Sequence, residues 1–176
     1  YTHGKRKEKI MTTEELYNMP KDNGTIRFRI KTAECVIYPE KELPVEPYLI
    51  GYWLGNGNAV KPEITIMTDD KEEVLANITP YHSISGMWDN VGNSVVVRIP
   101  DLKAVLLDNF HDKVIPENYL RSSKKQRERL LMGLMDSDGS VSNIKGQAIY
   151  TSTEKKLSES VSELLWSLGI KNAVTT

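Results

Sequence analysis

Two short segments constrain this chain more than anything else in it. Leu49 to Gly57 reads LIGYWLGNG and Leu131 to Gly139 reads LMGLMDSDG, 82 residues further on. Each has glycine in third place, a small residue in seventh and glycine in ninth. Gly51 and Gly55 in the first, and Gly133 and Ser137 in the second, lie four apart on one helical face. Helices with such faces can approach until their backbones nearly touch. Glycine inside a helix costs about 1 kcal/mol relative to alanine, so the pattern asks for a packing reason. The eighth residues, Asn56 and Asp138, stand where the two helix ends converge and can reach one shared point. Two carboxylates there would hold divalent cations through oxygen, an arrangement that stabilises both the attacking and the leaving oxygen in phosphodiester cleavage. Only one is a carboxylate. Taken singly, each segment reads rather as a helix end followed by a turn.

The surrounding sequence predicts alternating helices and strands. Thr12 with Glu15 forms a capping box before a short helix, and IRFRI at 26 to 30 alternates as a half-buried strand with Arg27 and Arg29 on its outer face. The proline- and glutamate-rich stretch from Thr32 to Pro47 reads as a connector, with a boundary near Glu46. Pro47 suits a first helical turn and Gly57 a helix end. A strand at 62 to 67, a helix after Asp69 carrying Val74, Leu75 and Ile78, and strands at 81 to 88 and 94 to 99 around Gly92 follow. Asp101 opens a helix with Leu102, Val105, Leu106 and Phe110 in a stripe. The order then repeats: a capping box at Ser123 and Gln126, a helix to Asp138, strands within 140 to 151, a helix from Glu154 to Gly169, and a further strand beginning at 170 to 175. The second unit is a shorter copy with an incomplete final hairpin.

At 176 residues the chain can bury roughly 70% of its unfolded surface. A single cysteine, Cys35, excludes an internal disulfide framework and an all-cysteine zinc site. No apolar run is long enough to span a bilayer and no secretory leader is evident, so an intracellular protein is expected. The formal charge of −1 offers no bulk attraction for a polyanion. Basic residues nevertheless cluster at 5 to 9, at 27 to 31, and at Lys124, Lys125, Arg127 and Arg129. Tyr1 is not an initiator methionine and Thr176 stops in mid-pattern, which is expected of a piece of something longer.

The paired segments resemble the two motifs of the single-chain LAGLIDADG homing endonucleases. LPVEPYLIGYWLGNGN is similar to the opening of endonuclease domains inside bacterial and phage inteins, and KVIPENYL, RERLLMGLMDSDGSVS and LSESVSELLWSLGIKN resemble the closing region, for a coverage of about residues 41 to 173. Residues 1 to 30, with KIMTTEELYN, look like the part of a self-splicing domain that precedes the insertion. The resemblance implies an α+β fold: a pseudo-twofold pair of αββαββα half-domains whose sheets form a saddle along the DNA major groove, the second half truncated. It implies a residual splicing segment and connector at 1 to 46, a first half-domain at 47 to 116 and a second at 117 to 176. It implies a monomer with internal symmetry, in the cytoplasm of a bacterial or phage-infected cell, that cuts both strands of a long duplex site with Mg²⁺. The motif aspartates that would hold that cation fall on Asp138 and on Asn56, where the amide departs from the pattern and lacks the charge that draws in a cation. Impaired or nicking-only cleavage is therefore expected; a non-cleaving structural remnant and a DNA-binding regulator on the same scaffold are the alternatives.

Asp136 is two residues from Asp138 but is turned away from the helix foot. Arg98 is the leading cationic helper near the scissile phosphates, or else a solvent-facing strand residue, with Lys113 and Lys171 behind it. Arg27 and Arg29 are either DNA contacts or a splicing-domain surface. Lys124, Lys125, Arg127 and Arg129 crowd a helix start, where the helix dipole does not favour them, which leaves a phosphate-facing row or a solvated face. His3, His82 and His111 have no metal-ligand spacing, Cys35 has no paired base, and Trp53, Trp88 and Trp166 read as core. Splicing by these residues alone is not expected, because the chain begins Tyr-Thr and ends Thr-Thr.

Overall fold

A computed structural model describes residues 9–19, 31–107, 113–142 and 146–175. Arg27, Arg29 and their strand, Phe110, His3 and His111 lie outside the described residues. The chain divides into two units, Tyr1–Thr32 and Ala33–Thr176. In the first, helix α1 (Thr13–Tyr17) starts on the expected capping box: Thr12 Oγ1 accepts from Glu15 N, and Glu15 accepts from Thr12 N at 2.7 Å.

The second unit is built around helix α2 (Pro47–Asn56), whose residues from Pro47 to Leu54 are all buried. A helix that is apolar on every side must be covered on every side. One flank meets strand β1 (Glu63–Met67) of a three-stranded antiparallel sheet; the other meets the long helix at Lys124–Asp138, α6. Helix α3 (Lys71–Ile78) lays Val74 and Ile78 into the core, as its spacing predicts. Strands β2 (Gly86–Asn90) and β3 (Ser94–Arg98) complete the sheet in the order β1-β3-β2. Ile64 and Ile66 stand opposite Val97 and Val95 on the core side. The β2–β3 turn needs positive φ at Gly92 (+82°) and Asn93 (+56°), which these two residue types tolerate best.

Strand β2 starts five residues later than 81 to 88 predicts. The amides of Tyr81 and His82 are spent on the carbonyl of Ile78, extending the turn after α3, so they are not free for a ladder. Helix α4 (Lys103–Leu107) follows a single 3₁₀ turn, with Leu102 and Val105 buried. Helix α5 (Glu117–Leu120), too short for a periodicity signal, buries Tyr119, whose hydroxyl donates to Val45 O at 2.8 Å and accepts from Val45 N.

Helix α6 (Lys124–Asp138) begins on the predicted box: Ser123 Oγ accepts from Gln126 N, and Gln126 Oε1 accepts from Ser123 N. Strands β4 (Gly139–Val141) and β5 (Ala148–Tyr150) form the expected hairpin, and helix α7 (Lys155–Ser167) buries Leu157, Val161 and Leu164. Residues 170–175 form no strand. A ladder needs a neighbouring edge, and the backbone beside the end of α7 is the segment at 33–36, which holds no strand and bonds there from Val36 N to Ser167 O. Of the three tryptophans read as core, Trp53 is buried, but Trp88 and Trp166 are 41% and 61% exposed on the outer faces of β2 and α7. Among the described residues no helix is long and apolar enough to cross a membrane.

Candidate functional site at the paired helix ends

Helices α2 and α6 meet on their small residues. A Cβ on Gly51 would strike the carbonyl oxygen of Leu130 and stand 2.9 Å from the amide nitrogen of Leu134. One on Gly133 would strike the carbonyl oxygen of Tyr48 and stand 2.7 Å from Tyr52 N. One on Gly55 would crowd Ser137 and come within 2.6 Å of Asp138 Oδ2. The obstacles at Gly51 and Gly133 are backbone atoms, which cannot turn aside. Both helices end alike: Gly57 and Gly139 are extended, with φ/ψ of −88/151° and −87/155°, and their amides bond Trp53 O and Met135 O. Asn56 and Asp138 are thereby brought together, with Asn56 Nδ2 3.4 Å from Ser137 O.

A cavity of about 290 Å³ opens beside this crossing, lined by Gly55, Asp138, Lys113, the run Thr151–Thr153 and Glu154. Lys113 Nζ donates to Gly55 O at 3.3 Å and Gly57 O at 3.2 Å, and lies 5.9 Å from the centre of the Trp53 ring. Its backbone is in the left-handed region at φ +37°, unusual for a lysine and of the kind held at functional positions. Burial pushes the ammonium below the usual lysine range, against the pull of Asp138 and Glu154. Burial pushes the Asp138 carboxyl up, against Lys113. Amine and carboxylate thus face one half-dry space, each costly to charge and each helping the other to do so. No spacing rule could have raised Lys113 above Arg98; it arrives through a loop.

The remaining predicted residues lie elsewhere. Asp136 accepts from the Tyr48 hydroxyl at 2.8 Å, away from the helix foot. Arg98 stands on β3 bound to Glu63. Lys171 is exposed beyond α7. Lys124 and Lys125 are exposed at the start of α6, Lys124 in a 3.4 Å pair with Glu128. Arg127, placed in a DNA-facing row by its sequence neighbours, is instead 0% exposed. Its guanidinium donates to Ser122 O at 3.0 Å, to Ser167 O and Oγ at 2.7 and 2.6 Å, and to Val36 O, and packs over Tyr38. A buried guanidinium holding carbonyls of three segments is a clamp, and no groove can reach it. Arg129 is likewise engaged, bonding Glu46 at 2.8 Å and Asn77 Oδ1 at 2.8 Å.

Residues 125–176 match the model of the LAGLIDADG-like domain, so the second of the two paired helices lies within that domain. The chain is also 31% identical over 170 residues to a replicative DNA helicase DnaB of Mycobacterium intracellulare, a match that takes in 95% of this chain and 27% of that protein. It is 30% identical over 136 residues to a DNA polymerase of Thermococcus hydrothermalis, taking in 70% of this chain and 8% of that protein. The chain therefore spans about a quarter of the one and less than a tenth of the other.

Proposed function

We propose that this chain is the DNA-binding and phosphodiester-cleaving part of an intein homing endonuclease, with double-strand cleavage impaired by Asn56. The observation that carries the reading is the crossing of α2 and α6 on glycines, which sets Asp138 and Lys113 on one cavity at the helix ends and brings Asn56 beside it, against Ser137 O. The comparisons support it in a second way. One sequence shared by a helicase and a polymerase, as a minor fraction of each, behaves as a segment carried by unlike hosts. On this reading residues 1–46 belong to the splicing part and its connector, 47–116 and 117–176 are the two half-domains, and long double-stranded DNA is the substrate.

The donor set suits a hard cation. Asp138 offers a carboxylate and Asn56 an amide oxygen, since its nitrogen turns to Ser137 O. Mg²⁺ is commonly held by one or two carboxylates, with water and substrate phosphate oxygens completing its shell. When bound it supplies charge neutralisation at the phosphate and a more acidic water. Among the described residues no cluster of three His, Cys, Asp or Glu side chains forms such a site by itself. Asp138 would be the anionic anchor, and Lys113 would offer its ammonium to a phosphate oxygen drawn into the cavity. Asn56 favours the reading in which DNA is bound and at most nicked.

The test uses a duplex selected for binding to this chain and cloned into supercoiled plasmid. With Mg²⁺ the parent is expected to give slow nicking without linear product, and Asn56→Asp to gain linearisation by 10²-fold or more, several kcal/mol of transition-state stabilisation. Asp138→Asn in that restored protein should abolish it. A parent that linearises the plasmid as fast as Asn56→Asp would remove position 56 from the metal site.

A further inference from the structure

The outer face of the β1-β3-β2 sheet carries a built arginine site. Strand register places Arg98 opposite Glu63 on one side and Gly86 on the other. The guanidinium donates Nε at 3.1 Å and Nη2 at 2.6 Å to one oxygen, Glu63 Oε1. Its centre lies 5.0 Å from the centre of the Trp88 ring. A Cβ on Gly86 would stand 3.2 Å from that ring, so the bare residue gives the indole room to lie across β2 toward Arg98. The Glu63 side chain is 6% exposed and that of Arg98 48%. One edge of the guanidinium is thus spent on a buried carboxylate and one face is covered by indole. The end carrying Nη1 and the second Nη2 proton remains for a ligand.

We propose that Arg98 reads a guanine in the major groove through O6 and N7, with Glu63 and Trp88 as positioning residues. The proposal rests on the DNA-binding reading above. Charge decides between base and phosphate. A carboxylate bound to the guanidinium cancels most of its long-range field and repels phosphate oxygens, whereas a guanine edge is neutral and presents two coplanar acceptors that match the free fork. The Glu63 bonds and the indole stack fix the plane in advance, so little rotamer freedom remains to be lost on binding. The remaining row of that face, with Thr65, Met67, Ser94, Val96 and Asn90, is short-chained or uncharged, as a surface laid against base edges needs.

The experiment is enrichment of bound sequences from a pool of randomised duplexes by the full chain, by Arg98→Lys and by Glu63→Gln. Lysine keeps the charge and would satisfy a phosphate, but it cannot reproduce the planar fork. The parent should enrich a motif, and Arg98→Lys should keep it except at one G·C pair, where the preference falls about 5- to 150-fold. Glu63→Gln should weaken preference at that same pair and steepen the fall of affinity with salt, since it unmasks a charge. A motif unchanged at every position in Arg98→Lys overturns the proposal while leaving DNA binding intact. A parent that retains no duplex overturns the DNA-binding reading itself, and the proposal with it; a parent that retains duplexes without enriching a motif overturns the proposal alone. Glu63→Gln matching the parent at the affected pair removes Glu63 from the positioning role.

Discussion

Asp138 ionises against the fold. Burial holds its carboxyl above the ordinary range, and the Lys113 ammonium recovers only part of that cost. A carboxyl whose folded pKa exceeds the unfolded value binds its proton more tightly in the native state. Its contribution therefore favours folding below the ordinary aspartate value of about 3.9 and is lost as pH rises through the folded value. Asp138→Asn is accordingly expected to be more stable than the parent near neutral pH, with the two converging in acid. Urea melts at both pH values check this; a neutral-pH loss in the variant would mean that attraction to Lys113 outweighs burial. Lys113 mirrors the case, its amine pushed down by burial. On the proposed reading, two groups that burial makes costly to charge serve the chemistry at the helix ends. Arg127 is the opposite case, a charge wholly spent on structure.

Between elements, the interface of α2 and α6 tolerates no added atoms. Gly51 faces the backbone of Leu130 and Leu134, and Gly133 faces that of Tyr48 and Tyr52, so overpacking there cannot be relieved by a rotamer change. Gly51→Leu or Gly133→Leu should each destabilise by at least about 1 to 3 kcal/mol. Denaturant melts indistinguishable from the parent in both variants would refute this crossing. The N-terminal ends of the two helices are tied as well. Glu46 caps α2 by accepting from Tyr48 N at 2.8 Å, and its other oxygen accepts from Arg129 of α6 at 2.8 Å. Gln126, besides closing the α6 box, binds both the N–H and the carbonyl of Lys41. The stretch read as a connector thus packs with the second unit from Ala33 onward.

On the proposed DNA-binding reading, attraction to DNA must come from local patches, because the formal charge of the whole molecule is −1. With Arg127 and Arg129 engaged inside the protein, Lys124 and Lys125 are what remains of the α6 row for phosphate. Replacing both by alanine should weaken all duplexes alike and lower the salt slope by up to about two units if both meet phosphate, as titrations at several salt concentrations would reveal. An unchanged slope would assign them to a solvated face.

The elements were largely legible in the amino-acid order because their signals are local. Two capping boxes, Pro47 at a first turn, glycines at helix ends and apolar periodicity act within a few residues, and α1, α2, α3, α6, α7 and the β4–β5 hairpin follow them. The small-residue spacing likewise pointed to the crossing at Gly51, Gly55, Gly133 and Ser137. Tertiary structure decided which charges are free. Arg127, Arg129 and Lys124 are near neighbours in sequence, yet one is buried, one is bonded to α2 and α3, and one faces solvent. It also brought Lys113 to the helix ends, set Glu63 and Gly86 on either side of Arg98, and turned Trp88 and Trp166 outward. A cap or a helix face depends on residues already adjacent along the chain; the partner of a long cationic side chain depends on which distant backbone and carboxylate the fold carries to it.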